Sequence, residues 1–312
     1  MPAIAVVLSV HNGVNYLSGC INSVLQQDFL DFELIIGDDG STDESLALVS
    51  RFQDPRIRLI SYRRQQGLFP TLNHLLDTVR SPIVQFLCHD DMLEPHCLSG
   101  VTKFFAEHAS VGWAFCKYTL VDAAGRSLHR AELHDMPDVL DGRLCAQLYL
   151  YYGCISGNLS SVSARTEHLR RHAGFDVSFS VSGDYDAETR LCTDAPTGVI
   201  HDHLVRVRSH AGQMTRAADA DATSVGEERR ILRRLVDAMP PARQRYARFY
   251  ILSRWDVVHA NRALHELGLG NIRQALRIQE AMGVGHFGVG ILLWLLTANN
   301  RLYRPDARFV YQ

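Results

Sequence analysis

The chain has 312 residues, of which 46% are hydrophobic and 21% are charged, and its formal net charge is −2. This composition excludes a disordered or collagen-like chain, and the length allows a buried core without disulfides or a structural metal. The seven cysteines include no C-x-x-C pair, so they predict neither a disulfide framework nor a zinc ribbon. Because the first ten residues also lack the basic segment of a secretory signal, we expect a cytoplasmic protein.

Charge is distributed unevenly along the chain. Residues 225–312 contain 14 Arg and no Lys against 7 acidic residues, a balance of +7, so residues 1–224 carry −9. The acidic part could hold a divalent cation, and the basic part could contact an anionic surface. A solvent-exposed helical face explains such a bias more often, so both interpretations stay open.

The first 110 residues alternate between two kinds of pattern. Apolar, β-branched runs bounded by turn residues predict strands at 4–10, 33–37, 57–62 and 83–88. Apolar residues at helical spacing predict helices at 14–25, 46–52, 72–79 and 95–106. Because strands joined by helices need crossover connections, we expect an α/β fold with a mainly parallel sheet flanked by helices. Ligands bind such a sheet beyond the carboxyl ends of its strands.

The rest of the chain divides into two further regions. Between 112 and 216, strands are predicted at 112–118 and 198–207, and a helix at 141–152. The last ninety residues have helical periodicity at 225–238, 242–265 and 271–281, interrupted by prolines and glycines. We therefore expect one domain over 1–216 and a helical region over 217–312. The apolar stretch 287–298 is too short to span a bilayer, which leaves a buried helix or an interfacial membrane contact.

The first polar motif, DDGSTD at 38–43, directly follows the second predicted strand. Gly, Ser and Asp favour a turn, and Thr42 or Asp43 can cap the next helix. A turn does not explain why the carboxylates of Asp38 and Asp39 stand side by side. They repel each other unless a cation or hydrogen-bond donors lie beside them.

The second polar motif, CHDD at 88–91, follows the fourth predicted strand and places two more carboxylates at the same edge of the sheet. Carboxylates with few other protein ligands are typical of Mg²⁺ or Mn²⁺ that is also bound by phosphate oxygens. Cys88 and His89 raise zinc as an alternative, but no residues at zinc-ligand spacing follow them.

Six segments in order resemble the motifs of the family 2 glycosyltransferases, whose catalytic domain has the GT-A fold. They are SVHN at 9–12, Leu17 with Gln27, FELIIGDDGSTD at 32–43, Gly67 with Asn73, FLCHDDMLEP at 86–95 and SGDYDAETRL at 182–191. The resemblance covers residues 3–216 and makes 1–216 the catalytic domain, with a nucleotide-binding half at 1–110 and an acceptor half at 111–216. It implies inverting transfer of a sugar from a nucleoside diphosphate donor, and we expect a UDP-sugar.

The resemblance also implies roles for single residues. Ser9 and His11 match positions that line the nucleoside pocket, and Asp39 matches the acid that reads the edge of the base. Asp90 matches a ribose or metal contact. Asp91 matches the acid that holds the Mn²⁺ or Mg²⁺ ion bridging the diphosphate.

Asp184 matches the catalytic base of the family. A base there would take the proton of the acceptor hydroxyl as the hydroxyl attacks from the face opposite the diphosphate, which inverts the anomeric carbon. The alternative is a surface loop in which Asp184 or Asp186 caps a helix that begins near residue 187. We favour the base for Asp184 and the cap for Asp186.

Two positions depart from the commonest family pattern, since Cys88 and Gly183 stand where acids are usual. The absence of an acid at 88 leaves one carboxylate with diphosphate and water to hold the ion, or else weakens metal binding. These departures motivate the main alternative, a non-catalytic sugar-nucleotide-binding or scaffold protein.

The segment 206–216 resembles the flexible loop that follows the base in this family. Arg208 or His210 could close over the diphosphate, and His210 could be a further metal ligand. An exposed loop with incidental basic residues is the alternative.

Two histidine pairs lie outside the motifs. His201 and His203 share one face of a strand, and we interpret them as surface residues. His168 and His172 have metal-compatible i, i+4 spacing, but without a third ligand nearby we favour a solvent-exposed helix face.

Other enzyme classes fit less well. The first turn, HNGVNYLSG, lacks the G-x-G-x-x-G of an NAD-linked dehydrogenase, and no glycine-rich basic loop marks a sugar nucleotidyltransferase. The expected acceptor is a glycan or lipid-linked hydroxyl in bacterial surface-polysaccharide synthesis, without nucleic acid as a partner. Peripheral contact with the inner face of the membrane and a homodimer stay open.

Overall fold

The computed structural model describes residues 1–131, 136–214, 220–283, 286 and 288. The chain divides into two compact units. The first comprises Met1–Cys145 with Ser156–His210, and the second comprises Ala146–Ile155 with the described part of residues 211–312.

The first unit is built on a ten-stranded sheet. The strands are β1 (Ile4–Val10), β2 (Phe32–Asp38), β3 (Ile57–Ser61), β4 (Ile83–Cys88), β5 (Met92–Leu93), β6 (Trp113–Val121), β7 (Ser127–Arg130), β8 (Val139–Leu140), β9 (Val162–Arg165) and β10 (Thr197–Arg208). The helices are α1 (Val14–Leu25), α2 (Ser45–Val49), α3 (Leu68–Thr78), α4 (Cys97–Glu107), α5 (Gly142–Tyr152), α6 (Thr166–Arg171) and α7 (Gly183–Leu191), of which α5 continues into the second unit.

The strand order β3-β2-β1-β4-β9-β6-β10-β5 defines where a ligand can bind. Strands β1 to β4 run parallel, and so do β6 and β10, whereas β9 runs antiparallel to both β4 and β6. The chain leaves β1 toward β2 on one side and returns to β4 on the other. This reversal opens a crevice beyond the carboxyl ends of β1 and β4, which is the usual ligand site of such sheets.

The core explains why these segments form strands. Every residue of β1 is buried, as expected for a parallel strand covered on both faces. On α1, the buried side chains are Leu17, Cys20, Ile21 and Val24, which lie on one helical face against the sheet. The predicted mainly parallel sheet flanked by helices is therefore confirmed.

Several boundaries differ from the prediction. Helix α3 begins at Leu68 rather than at residue 72, and α7 begins at Gly183 rather than near residue 187. Strand β9 was not predicted, whereas α6 lies where a helix was expected from His168 and His172. The sequence of β9, VSAR, alternates between apolar and polar residues over only four positions, and pairing with both neighbours holds it in the sheet.

The second unit is helical, as predicted. It contains α8 (Ala220–Asp237), α9 (Pro241–Gly268) and α10 (Ile272–Met282), which pack against one another. Pro241 occupies the first turn of α9, where its missing N–H is not needed. The expected boundary at residue 216 and the apolar stretch 287–298, apart from residue 288, lie outside the described residues. Among the described helices, none combines the length and apolar character needed to cross a bilayer.

Candidate functional site

The turn after β2 holds Asp39 by backbone donors. The N–H groups of Gln66 and Gly67 donate to the two Asp39 carboxylate oxygens at 2.8 and 2.9 Å, and the residue is 2% exposed. Gly40 has a φ of 66°, and a Cβ there would lie 2.6 Å from the backbone of Arg64. Glycine therefore allows this turn to approach the segment that binds Asp39. These donors satisfy the Asp39 carboxylate, whereas Asp38 Oδ1 is buried without a hydrogen-bond partner among the described residues.

The end of β1 meets the same turn. The backbone oxygen of Asp39 accepts a hydrogen bond from His11 Nδ1 at 2.8 Å. Asn12 has a φ of 51°, and its side-chain oxygen accepts the N–H of Thr42 at 2.8 Å. Ser9 is 8% exposed at the end of β1. The predicted nucleoside residues Ser9, His11 and Asp39 are thus brought together at one edge of the sheet.

Asp91 lies at the same edge, directly after β4, and is fixed from two sides. Its Oδ2 accepts the hydroxyl of Ser160 at 2.6 Å, and its Oδ1 accepts the backbone N–H of Arg208 at 2.8 Å. The Ser160 hydroxyl also accepts the N–H of Cys88 at 2.9 Å. A short 3-10 helix at Leu159–Ser161 presents this serine. The geometry of Asp91 therefore depends on two segments more than sixty residues away from it in sequence.

Three groups around Asp91 converge as a cation site would require. The ligand atoms of Cys88, Asp90 and Asp91 all lie within 4.8 Å of one another. Nε2 of His210 lies 3.1 Å from an Asp90 oxygen, and the His210 ring stacks 4.7 Å from the ring of Tyr16 on α1. The structure thus brings His210 to the carboxylates. His89 is not part of this group and packs against Gly13 instead.

The electrostatics of this cluster favour added positive charge. Burial raises the pKa of Asp91 to about 8, and the neighbouring Asp90 charge acts in the same direction. Burial also raises the pKa of the Cys88 thiol well above its usual value, and the charges of Asp91, Asp90 and Asp184 raise it further. Cys88 is therefore a neutral thiol at physiological pH. A bound cation would reverse the repulsion that protonates Asp91.

Asp184 also acts electrostatically on this cluster, because its negative charge raises the pKa of the Cys88 thiol. Asp184 sits in the first turn of α7 and is half-buried. The preceding Gly183 packs directly on Phe69, and a Cβ at 183 would lie 2.6 Å from that ring. Phe69 follows closely on the Gln66–Gly67 segment that binds Asp39. The segment that includes Phe69 therefore links the turn at Asp39 to the helix that carries Asp184.

The predicted cap role of Asp186 is wrong. Because α7 begins at Gly183, Asp186 lies inside its first turn, where it is 1% exposed. Its carboxylate accepts a hydrogen bond from Nε of Arg190, one turn later, at 2.8 Å. The guanidinium also donates to the backbone oxygens of His172 and Gly174. Asp186 therefore anchors α7 to the preceding loop.

The prediction of an exposed, flexible segment from 206 onward is wrong for Arg208. This residue ends β10 and is 7% exposed. Its guanidinium donates to the backbone oxygens of Asp90, Asp122 and Ala123, and it lies 4.7 Å over the ring of Tyr16. Arg208 therefore holds the turn that carries Asp90 and Asp91.

The two histidine pairs outside the motifs have different environments. His201 is partly exposed and lies 3.3 Å from Asp138, which fits the predicted surface role. The interpretation of His168 and His172 as a solvent-exposed face is wrong, because His168 is 4% exposed and packs on Gly112. Asp194 also lies 2.8 Å from His172, so a third polar group is present.

Sequence reasoning missed Ser160, Tyr16 and the tethering role of Asn12. Ser160 carries no local signal, because its partners are far away in sequence. Tyr16 occupies a position that helical periodicity leaves on the surface of α1. Asn12 could have been found, since Asn at the end of a strand is among the residues that tolerate a left-handed conformation.

Residues 5–156 match the family described as Glycosyl transferase family 2. This match covers 152 of the 312 residues, so the first half of the chain is similar to this family. An uncharacterized glycosyltransferase of Rickettsia prowazekii is 26% identical over 224 residues, which are 70% of this chain and 67% of that protein.

Two solved structures share the GT-A fold of this chain. Residues 1–349 of Staphylococcus aureus TarS, in complex with UDP-GlcNAc, share 17% identity and a TM-score of 0.61, covering 90% of this chain and 92% of that chain. The mannosyltransferase PcManGT of Pyrobaculum calidifontis, in complex with GDP-Man and Mn²⁺, covers 99% of this chain and 83% of that chain, with a TM-score of 0.58. The expected fold is therefore confirmed.

Proposed function

We propose that the chain transfers a sugar from a nucleoside diphosphate sugar to a glycan or lipid-linked hydroxyl, with inversion at the anomeric carbon, in surface-polysaccharide synthesis. The proposal is supported by two observations. The Asp39 turn and the cluster around Asp91 share the carboxyl edge of β1, β2 and β4, and Gly183, beside Asp184, packs on Phe69 close to the segment that binds Asp39.

Ser9, His11 and Asp39 bind the nucleoside in this proposal. Both Asp39 oxygens already accept backbone N–H groups, yet each keeps lone-pair capacity for a donor on the edge of a base. The N–H of uracil is such a donor, and a UDP-sugar is our proposed donor substrate. The two solved relatives were captured with UDP-GlcNAc and with GDP-Man, so the choice of base is to be tested directly.

The donor atoms around Asp91 fit Mn²⁺ or Mg²⁺. The two carboxylates suit these cations, whereas the protonated Cys88 thiol is a poor ligand for them. Asp91 and Asp90 would hold the ion, and His210 is placed to join them. When bound, the cation would neutralise negative charge that grows on the departing diphosphate.

Asp184 is the proposed base. A sugar hydroxyl is a weak nucleophile at neutral pH, so a carboxylate within hydrogen-bond reach accelerates its attack by roughly 10²- to 10⁴-fold. Attack from the face opposite the diphosphate inverts the anomeric carbon. Asp184 is suited to this role because it is half-buried in the first turn of a helix, where the N-terminal end of the dipole stabilises its charge.

We further propose that residues 1–110 bind the donor, that 111–216 bind the acceptor, and that the helical region from 217 extends this catalytic domain. The arginines of the helical region could contact an anionic membrane surface.

The test compares Asp184→Asn with Asp202→Asn, an exposed aspartate on β10. Transfer is measured as nucleoside diphosphate release from a panel of UDP- and GDP-sugars with glycan acceptors and Mn²⁺. We expect Asp184→Asn to lower the rate by about 10²- to 10⁴-fold with unchanged donor affinity, and Asp202→Asn to have little effect. NMR of the product should show an inverted anomeric centre.

Full activity of Asp184→Asn, or a retained anomeric configuration, would refute the assigned base. Donor binding that is indifferent both to Mn²⁺ and to Asp91→Ala would remove the cation from the proposal. Tight donor binding without transfer to any acceptor would favour the non-catalytic scaffold.

A further inference from the structure

A second group of metal-binding side chains lies away from the carboxylate cluster. His168 and His172 follow each other by one turn at the end of α6, and Asp194 lies in the loop after α7. The ligand atoms of these three residues all lie within 4.8 Å of one another. No motif of the glycosyltransferase family uses them.

The buried histidine of this group is oriented as metal-bound histidines usually are. Its Nε2 lies 2.9 Å from the backbone oxygen of Leu191, and because a carbonyl only accepts, this nitrogen carries the proton. Nδ1 is then left with a lone pair, and it lies 3.6 Å from an Asp194 oxygen. A hydrogen bond from the other ring nitrogen to a backbone carbonyl is the arrangement that fixes a metal ligand.

The remaining distances are close to those of a tetrahedral site. His172 Nε2 lies 2.8 Å from Asp194 Oδ1. In a tetrahedral zinc site with bonds of about 2.0–2.2 Å, neighbouring ligand atoms are roughly 3.3–3.5 Å apart. The two distances from Asp194 Oδ1 therefore differ from this spacing by less than about one ångström, and the two histidine nitrogens lie within 4.8 Å of each other.

We propose that His168, His172 and Asp194 bind a zinc ion, with water as the fourth ligand. Imidazole ligands favour zinc over Mg²⁺ and Mn²⁺, whereas the cluster around Asp91 has the opposite preference. The ion joins the end of α6 to the loop after α7 and so stabilises the fold of the first unit.

This zinc site is distinct from the nucleotide site. Strand β9 leads into α6 and runs antiparallel to β4, with Arg165 opposite Ile83, the first residue of β4. The carboxylate cluster begins at Cys88, the last residue of β4. Five residues of strand separate Ile83 from Cys88, a distance of about 17 Å. The zinc site and the carboxylate cluster therefore lie at opposite ends of the strands.

The experiment uses the full chain after removal of metals by a chelator. Excess Mg²⁺ occupies the carboxylate cluster, and bound zinc is then counted by elemental analysis and by competition with a chromogenic chelator. The variants are His172→Asn and Asp194→Asn, both at partly exposed positions, with circular dichroism to verify folding. His201→Asn is the matched control, because His201 also lies beside an aspartate but has no such third ligand within the described structure.

We expect the parent chain and His201→Asn to bind one equivalent of zinc. His172→Asn and Asp194→Asn should bind zinc at least about tenfold more weakly. Zinc should raise the melting temperature of the first two proteins only. Cobalt in place of zinc should give the visible absorption of a tetrahedral site in the parent chain and lose it in both variants.

Arg171→Gln separates a zinc site from a simple network of ion pairs. The Arg171 guanidinium lies 3.5 Å from Asp194 Oδ2, where its charge opposes a bound cation. Its removal should therefore tighten zinc binding if the proposal is correct. Equal zinc binding by the parent chain, His172→Asn and Asp194→Asn would overturn the proposal, and so would no zinc binding by the parent chain.

Discussion

The hydroxyl of Ser160 offers the sharpest test of how the carboxylate cluster is held. Its oxygen accepts the N–H of Cys88 at 2.9 Å, and its proton is donated to Asp91 at 2.6 Å. Replacement by alanine removes both hydrogen bonds at a site with no solvent exposure. Ser163, in the adjacent β9, is a matched control, because it is buried and its hydroxyl has no partner among the described residues.

The two hydrogen bonds contribute to different quantities. An unsatisfied buried N–H costs about 1–3 kcal/mol, so Ser160→Ala should lower the free energy of unfolding by about that amount. Loss of the hydrogen bond to Asp91 raises the free energy of its ionised form by about 1.5–3 kcal/mol, because that form is charged. Since a cation binds the ionised form, its affinity should fall by roughly 10- to 100-fold. Ser163→Ala removes a buried hydroxyl that has no partner among the described residues, so it should not lower the free energy of unfolding, and it should leave cation affinity unchanged.

Stability is measured by urea unfolding followed through tryptophan fluorescence. Cation affinity is measured by Mn²⁺ electron paramagnetic resonance in the presence of a nucleoside diphosphate. If Ser160→Ala is no more destabilising than Ser163→Ala, or binds Mn²⁺ as tightly as the parent chain, then the assigned role of this hydroxyl is incorrect.

Three further predictions follow from single contacts. Because the folded pKa of Asp91 is raised to about 8, its contribution to stability is present at low pH and is lost as the pH rises through about 8. Thermal melting in chelator should show this loss, and Asp91→Asn should flatten the dependence of melting temperature on pH. Gly183→Ala should destabilise the protein by about 1–3 kcal/mol, because the new Cβ would collide with Phe69. Gly226→Ala on α8 should stabilise it by about 0.5–1 kcal/mol, because a Cβ there meets no atom within 4 Å. Differential scanning calorimetry of the two variants measures both effects. Asn12→Ala removes an acceptor of two backbone N–H groups in the turn after β2, so calorimetric titration should show nucleotide affinity reduced by about 1–2 kcal/mol while Mn²⁺ binding is unchanged.

The sequence predicts the parallel half of the sheet well, for a physical reason. Strands β1 and β4 were predicted at their observed bounds, because strands covered on both faces need continuous apolar runs. Strand β9 was missed, since only its pairing with β4 and β6 specifies it. Local patterns carry no information about such long-range pairing.

The candidate site shows the same contrast between features that local sequence patterns predict and features that depend on long-range contacts. The carboxyl ends of adjacent parallel strands share one edge, so the positions of Asp39 and Asp91 follow from the strand order. The groups that orient Asp91, which are the Ser160 hydroxyl and the Arg208 backbone, approach from segments whose position depends on β9 and β10. His168 was assigned to a solvent-exposed face because its burial depends on the distant Gly112, where the absence of a side chain admits the ring.

The two departures from the commonest family pattern have different structural consequences. At 183, glycine removes an acidic side chain but lets the first turn of α7 lie directly against Phe69. Because Phe69 follows the segment that binds Asp39, this contact links the position of Asp184 to the turn at Asp39. At 88, an acid would add a third negative charge beside Asp90 and Asp91, and that repulsion would have to be overcome whenever no cation is bound. The neutral Cys88 thiol avoids this repulsion at the expense of one oxygen ligand. Cys88 therefore favours a stable metal-free cluster with weaker cation affinity, and in the proposed function the diphosphate of the donor would supply the oxygen atoms that complete the coordination shell.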